Sequence, residues 1–340
     1  MNALLSIAFV VSWSSGFIGA KLGAGSAAAL TLLMWRFLPL VLGLGAWALL
    51  VDRASWRGLG ARELGRQAVV GALSQSGYLL TVYLAIQLGV SSGTTALIDG
   101  TQPLVAAALA GPLLGTPASR TQWAGLGLGL AGVLVVTAAD AGAGTGTPWW
   151  AYLVPFLGML SLVAATFLDR RSPSDLAPAV TMTIHAGTSA VAFTALAALT
   201  GAAAPPASGS FWSAVVWLVV LSTFGGYGLY WLILRRSGVT RVNTLMFLMA
   251  PVTALWGALM FGEPFGAQTV AGLALGVLAV AVVHFGERRN SAGGAARRGA
   301  GTRTGTSLTR RRSESRPGPA WSRRRDRPVH ATPTAGRGNG

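Results

Sequence analysis

Cysteine is absent from this 340-residue chain, lysine occurs once, and charged residues make up only 11% of it. Without cysteine there is no disulfide, zinc–thiolate centre, iron–sulfur cluster or cysteine nucleophile. The three histidines are scattered with no pair at metal-ligand spacing, so no metal site is expected. There is no Walker A lysine motif and no nucleophile elbow, and the glycine-rich stretch at 125–129 follows no strand. Nothing therefore points to ATP hydrolysis or acyl-transfer chemistry, and neither catalytic residues nor cofactors are expected. Negative charge is scarce as well: ten acidic residues face 26 basic ones, for a formal net charge of +16.

That charge is unevenly placed. Residues 1–286 hold 12 basic and seven acidic residues, whereas 287–340 hold 14 arginines and three acids. The body is too poor in charge to present a water-soluble surface. A membrane-crossing helix needs about 20 mostly apolar residues. On that criterion the body contains ten candidate segments, at 3–22, 29–51, 67–88, 93–114, 121–138, 149–168, 176–199, 211–234, 239–261 and 267–285. The first is apolar and N-terminal but lacks a basic leader and is interrupted by Trp13, Ser14 and Ser15, so it is expected to be an uncleaved helix. Alternate links carry Arg53, Arg57, Arg62, Arg66, Arg120, Arg170, Arg171, Arg235 and Arg236, with Arg241 at the same face; the opposite links carry at most Lys21. The positive-inside rule then predicts a multi-pass protein of the cell (inner) membrane with both termini in the cytoplasm.

Two stretches, 78–136 and 227–283, resemble each other. Tyr78 matches Tyr227, Gly89-Val90 matches Gly238-Val239, and after a two-residue slip Gly115, Gly125 and Gly129 match Gly262, Gly272 and Gly276. Pro103 and Pro251 fall in the middle of the fourth and ninth segments. A five-helix unit crosses the membrane an odd number of times, so a second copy starts on the other side. The expected fold is an all-α integral membrane protein of ten transmembrane helices in two inverted five-helix repeats, 1–140 and 148–286, followed by a disordered Arg-rich cytoplasmic tail, 287–340. Inverted repeats suit alternating access around a midplane site.

Trp13-Ser14-Ser15-Gly16-Phe17 followed by Lys21, Arg36-Phe37, Pro103, and the run from Pro251 to Val280 with Gly262-Glu263, Gln268, Gly272 and Gly276 complete a recognisable pattern. Over 1–286 the chain resembles the drug/metabolite transporter superfamily in its ten-helix EamA-type branch. The resemblance implies a ten-helix inverted repeat, a central cavity, and export or exchange of small metabolites, and it places Gly262 and Glu263 in a signature that shapes the turn between the last two helices. One departure stands out: Gly115-Thr116 occupies the place where the family usually has Gly-Glu.

Ionisable residues inside a membrane are costly and rare. Arg36 and Asp99 lie at similar depths in the second and fourth segments, with Lys21 near the same side. Two readings stand: a static Arg36–Asp99 bridge locking two helices, or a cavity-facing pair in which Asp99 takes a proton or a cationic substrate group. Pro103 and Pro251 free backbone carbonyls at mid-depth, with Gln102 and Asn243 as polar neighbours; a packing kink is the plainer reading. Trp13, Tyr78, Tyr83, Tyr227 and Tyr230 are candidate cavity aromatics, although interface belts also use such residues. His185, near mid-membrane, reads as a neutral histidine bonded to a neighbouring helix or as a proton relay. Gly125, Gly129, Gly272 and Gly276 read as helix-packing residues or as a homodimer face. The expected partners are a small-molecule substrate, the lipid bilayer, and anionic lipid at the basic tail; no nucleic-acid partner is expected. The functional expectation is an exporter of amino acids or amphipathic compounds by proton antiport or exchange. The alternatives are an importer or sugar-derivative exchanger on the same scaffold, and a non-transporting sensor or scaffold.

Overall fold

A computed structural model describes residues 3–50, 53–115, 118–172, 174–237, 239–246 and 248–283. The regular structure among them is wholly helical, an arrangement that satisfies backbone groups within their own segment where no water is available. In chain order the helices are α1 (Ala3–Ala24), α2 (Ala29–Leu50), α3 (Ala61–Gln87), α4 (Ser92–Gly100), α5 (Gln102–Leu114), α6 (Arg120–Gly142), α7 (Trp149–Arg171), α8 (Pro178–Leu199), α9 (Gly209–Ser237), α10 (Val239–Met246), α11 (Met249–Phe261) and α12 (Ala267–Val283). Seven of these, α1–α3 and α6–α9, are long and apolar enough to cross a membrane, and α11 and α12 are shorter apolar helices. The expected tail, 287–340, lies outside the described residues.

Hydroxyl side chains start several helices. Ser91 accepts from the Thr94 amide at the head of α4, Ser119 and Gln122 cap one another at the head of α6, and Ser208 accepts from the Phe211 amide at the head of α9. Each supplies an acceptor to an amide that has no partner inside its helix.

The fourth and ninth segments are each split in two. α4 gives way to α5 at Thr101, and α10 gives way to α11 next to Leu248. The breaks precede the prolines that predict them. Pro103 and Pro251 sit in the first turn of the downstream helix, where the missing N–H is not needed. α5 and α11 both end on a left-handed glycine, Gly115 (φ 73°) and Gly262 (φ 67°).

A second device also recurs. α3 widens into a π-helical stretch at Ala72–Gly77, immediately before Tyr78, and α9 does so at Leu218–Gly225, just before Gly226 and the matched Tyr227. The order of elements is therefore the same in α1–α6 and α7–α12: two long helices, one with a π stretch, a split pair, and a glycine-rich helix. The fold has a two-repeat architecture.

α2 runs along α8, with the rings of Phe37 and Phe193 5.4 Å apart, and α1 lies against the π stretch of α9 and against α11. The split pairs are not used equally. α4 packs closely on α11, whereas α5 and α10 make no comparable contact among the described residues. A Cβ on Gly93 of α4 would stand 2.6 Å from the Ala254 Cβ of α11, so only glycine permits this approach.

Candidate functional site

α2 carries Arg36 into the centre of the bundle, where it is 5% exposed. Its Nη1 donates to the Tyr83 hydroxyl, and its Nη2 donates to Thr223 Oγ1 (3.2 Å) and Ser222 Oγ (3.4 Å). The guanidinium carbon also stands 5.9 Å from the centre of the Tyr83 ring and 5.6 Å from that of Phe37, a cation–π arrangement. Ser222 and Thr223 belong to the π stretch of α9, and π bulges commonly mark functional positions. The Nε of Arg36 is buried with no partner among the described residues.

Asp99, near the end of α4, accepts a 2.9 Å hydrogen bond at Oδ2 from the Tyr78 hydroxyl, while its Oδ1 is buried with no partner among the described residues. Tyr78 lies within electrostatic range of Tyr83 and Tyr227, and Tyr227 within range of Arg36. Arg36 and Asp99 thus belong to one constellation but form no ion pair with each other among the described residues; the static bridge weighed from the sequence is not present. Tyrosines stand between the two charges. Trp13 closes one flank, its ring 5.5 Å from Tyr227 and 5.9 Å from Tyr230. Tyr78, Asp99 and Tyr227 are half-buried. The Gln75 Oε1 from the π stretch of α3 is a further buried acceptor without a partner.

The remaining sequence candidates are dispersed. Gln102 turns to α7, its Nε2 3.4 Å from Thr166 Oγ1, and Pro103 is exposed. Pro251 lines, with Leu97 and Thr101, a void of about 20 Å³, room for a single water and no metabolite. Ser14 donates to the Met249 carbonyl (3.4 Å), close to the second break, and Trp217 Nε1 donates to the Ser15 carbonyl (3.0 Å). Asn243 has a helical backbone, but its side chain lies outside the described residues. His185 Nε2 is 2.9 Å from Gln67 Oε1, and the Gln67 amide donates to Glu63 Oε1 at 3.3 Å. That second bond fixes the glutamine oxygen toward the ring, so Nε2 carries a proton. Glu63 in turn is held by Arg66 and Ser174.

Lys21 pairs with Glu263 at 3.3 Å. Glu263, which the resemblance places in a signature that shapes its own turn, has a side chain only 6% exposed. It accepts from the Ser92 amide at 2.9 and 3.0 Å and from the Ser92 hydroxyl at 2.6 Å, across to the head of α4. Beside it, Asp140 from the end of α6 accepts from the Ser91 amide and the Thr94 hydroxyl, both at 2.9 Å. The sequence reading missed Asp140, Ser92, Ser222, Thr223 and Gln67. The hydroxyl-and-glycine clusters Ser74-x-Ser76-Gly77 and Ser222-Thr223-x-Gly225-Gly226, each directly before a matched tyrosine, were the signal that could have found the π stretches.

The four packing glycines meet neighbours within the chain. A Cβ on Gly125 would strike Val283 and come within 2.9 Å of the Ala279 carbonyl; one on Gly129 would meet Leu104 at 2.7 Å, one on Gly276 Leu97 at 2.8 Å, and one on Gly272 the Gly132 carbonyl at 2.7 Å. The Gly125 and Gly272 contacts bring the α6 and α12 backbones together, while Gly129 seats α6 on α5 and Gly276 seats α12 on α4.

Comparison with known proteins gives three results. The profile of the EamA-like transporter family matches residues 1–138 and again 149–285. No curated protein gives a significant match. A solved crystal structure is similar with a TM-score of 0.56 at 23% identity, over 84% of this chain and 97% of that one; at that identity the likeness concerns the fold alone.

Proposed function

Because the chain belongs to the EamA-like transporter family, we propose that this multi-pass membrane protein is a secondary transporter exporting small zwitterionic or amphipathic metabolites, amino acids among them. One observation carries the reading: two opposite charges, Arg36 and Asp99, lie in one constellation, and each keeps a buried atom, Nε and Oδ1, without a partner among the described residues. Leaving a buried polar group unsatisfied costs about 1–3 kcal/mol, and ionisable residues within a membrane mark substrate or ion pathways. An amino acid supplies what is missing, a carboxylate for the guanidinium and an ammonium for Asp99. Its side chain would rest on Trp13, Tyr227 and Tyr230.

A carboxylate that takes an ammonium in one half of a cycle and a proton in the other couples the two without a further cofactor. The loop charges favour a cell-membrane protein with ten crossings in two inverted units, 1–140 and 148–286, and cytoplasmic termini. The basic tail would contact anionic lipid of the inner leaflet. Proteoliposomes containing only this chain and preloaded with one amino acid should exchange it, saturably, for labelled amino acid outside. Asp99→Asn should abolish that exchange while the protein still inserts. Flux that is the same in Asp99→Asn and the unaltered chain would remove Asp99 from the mechanism.

A further inference from the structure

The heads and tails of the helices on the arginine-poor side converge on one point. α4 begins there, α1 and α6 end there, and the turn from α11 to α12 passes through it. Three charged residues meet at the first turn of α4. Glu263 takes the Ser92 amide and hydroxyl, Asp140 takes the Ser91 amide and the Thr94 hydroxyl, and Lys21 balances Glu263. Amides at a helix N-terminus have no partner inside the helix and carry partial positive charge, so carboxylates are the fitting acceptors. Gly257 of α11 lies under this contact, and a Cβ there would strike both Glu263 and the Ser92 hydroxyl. One turn deeper, Gly93 rests on Ala254.

The corresponding contact at the other end of the split helices is not made. α5 and α10 are the counterparts, by the repeat, of α11 and α4, yet among the described residues they do not pack on one another as α4 and α11 do. The residue matching Glu263 in the first half is Thr116, which has no carboxylate. In a two-repeat transporter the two equivalent contacts close in alternation.

We infer that Glu263 is the latch of the outer gate: by holding the head of α4 against α11 it keeps the site around Asp99 shut off from the outside. Lys21 is its counter-ion and Asp140 a second clasp on the same turn. The inference rests on the transport reading, but its test needs no substrate. The chain has no native cysteine, so a single introduced thiol reports alone. Ala250 of α11 is 5% exposed and lines the void next to Leu97 and Thr101, below the latch. In right-side-out vesicles, Ala250→Cys should react slowly with a membrane-impermeant maleimide.

Adding Glu263→Gln, which removes the charge from the Ser92 contact, should raise that rate about tenfold. Lys21→Gln, which leaves both Ser92 contacts in place, should raise it less. The charge swap Lys21→Glu with Glu263→Lys should fail to restore the slow rate, because lysine offers the Ser92 amide no acceptor. In inside-out vesicles, Arg57→Cys, on a link of the arginine-rich side, should react with the same reagent at one rate in every background, which separates gate opening from misfolding. Faster labelling supports the latch even where no flux is found. Unchanged labelling in the Glu263→Gln background, or full restoration by the charge swap, overturns it and leaves the transport reading standing.

Discussion

The fourth and ninth segments share a backbone and differ in chemistry. Each is interrupted just ahead of a proline, and each ends on a left-handed glycine. In the first, the upstream piece α4 has two carboxylates at its head and Asp99 near its tail, with Tyr78 bonded to that acid. In the second, the position matching Asp99 falls near Phe247, and no acidic residue occurs in 239–246. Duplication accounts for the breaks, which depend on proline and glycine at fixed places. The site depends on side chains that only one copy possesses. A symmetric scaffold here carries an asymmetric centre.

The largest effect is expected from asking whether the copies are interchangeable. Asp99→Asn should reduce transport by at least about a hundredfold, and adding Phe247→Asp should not recover it, because the partner bonded to Asp99 is Tyr78 on α3. Recovery in a liposome flux assay would show that either half can hold the acid. Next in size is the α4–α11 contact. Gly93→Ala should lower stability in detergent by about 1–3 kcal/mol through overpacking against Ala254. Gly100→Ala, on the same helix but with nothing within 4 Å, should leave the melting temperature near that of the unaltered chain; equal losses would mean that close approach is not what Gly93 provides.

Smaller again, Gly115→Ala and Gly262→Ala each place a Cβ on a left-handed backbone, at a cost of about 1–2 kcal/mol. Near-equal shifts in thermal unfolding would sharpen the likeness of the two halves, and a large inequality would break it. Least of all should come from Gln102→Ala, which forfeits one long contact to Thr166; a change in flux beyond about twofold, or about 0.5 kcal/mol, would return Gln102 to the site.

Much of the scaffold was legible because membrane helices are written in apolar runs. The first segment, expected at 3–22, is Ala3–Ala24, and the seventh, expected at 176–199, is Pro178–Leu199. The breaks were legible from their prolines but not their positions, since proline is tolerated in the first turn of the helix that follows a break. The site was partly legible. Arg36 and Asp99 stood out by their cost, yet equal depth says nothing about which way two side chains face, and each found different partners. Glu263 next to Pro264 has the local signature of an exposed turn; its reach to Ser92 is a contact across 171 positions of sequence, invisible to local pattern. The π stretches were missed because serine and glycine in a membrane helix usually signify close packing. That signal was present as well: a Cβ on Gly77 would lie 2.7 Å from Ser161 Oγ.

Where α6 meets α12, Gly132 and Gly272 face each other's carbonyls, and a Cβ on either would stand within 2.6–2.7 Å of the other chain segment. Val136 Cγ2 borders the same contact, 2.5 Å from the place of a Gly272 Cβ. A seam where backbone lies on backbone leaves little slack between the two helices. If the split helices exchange which end is closed, bulk added at Gly132 or Gly272 should stiffen that exchange at both ends at once.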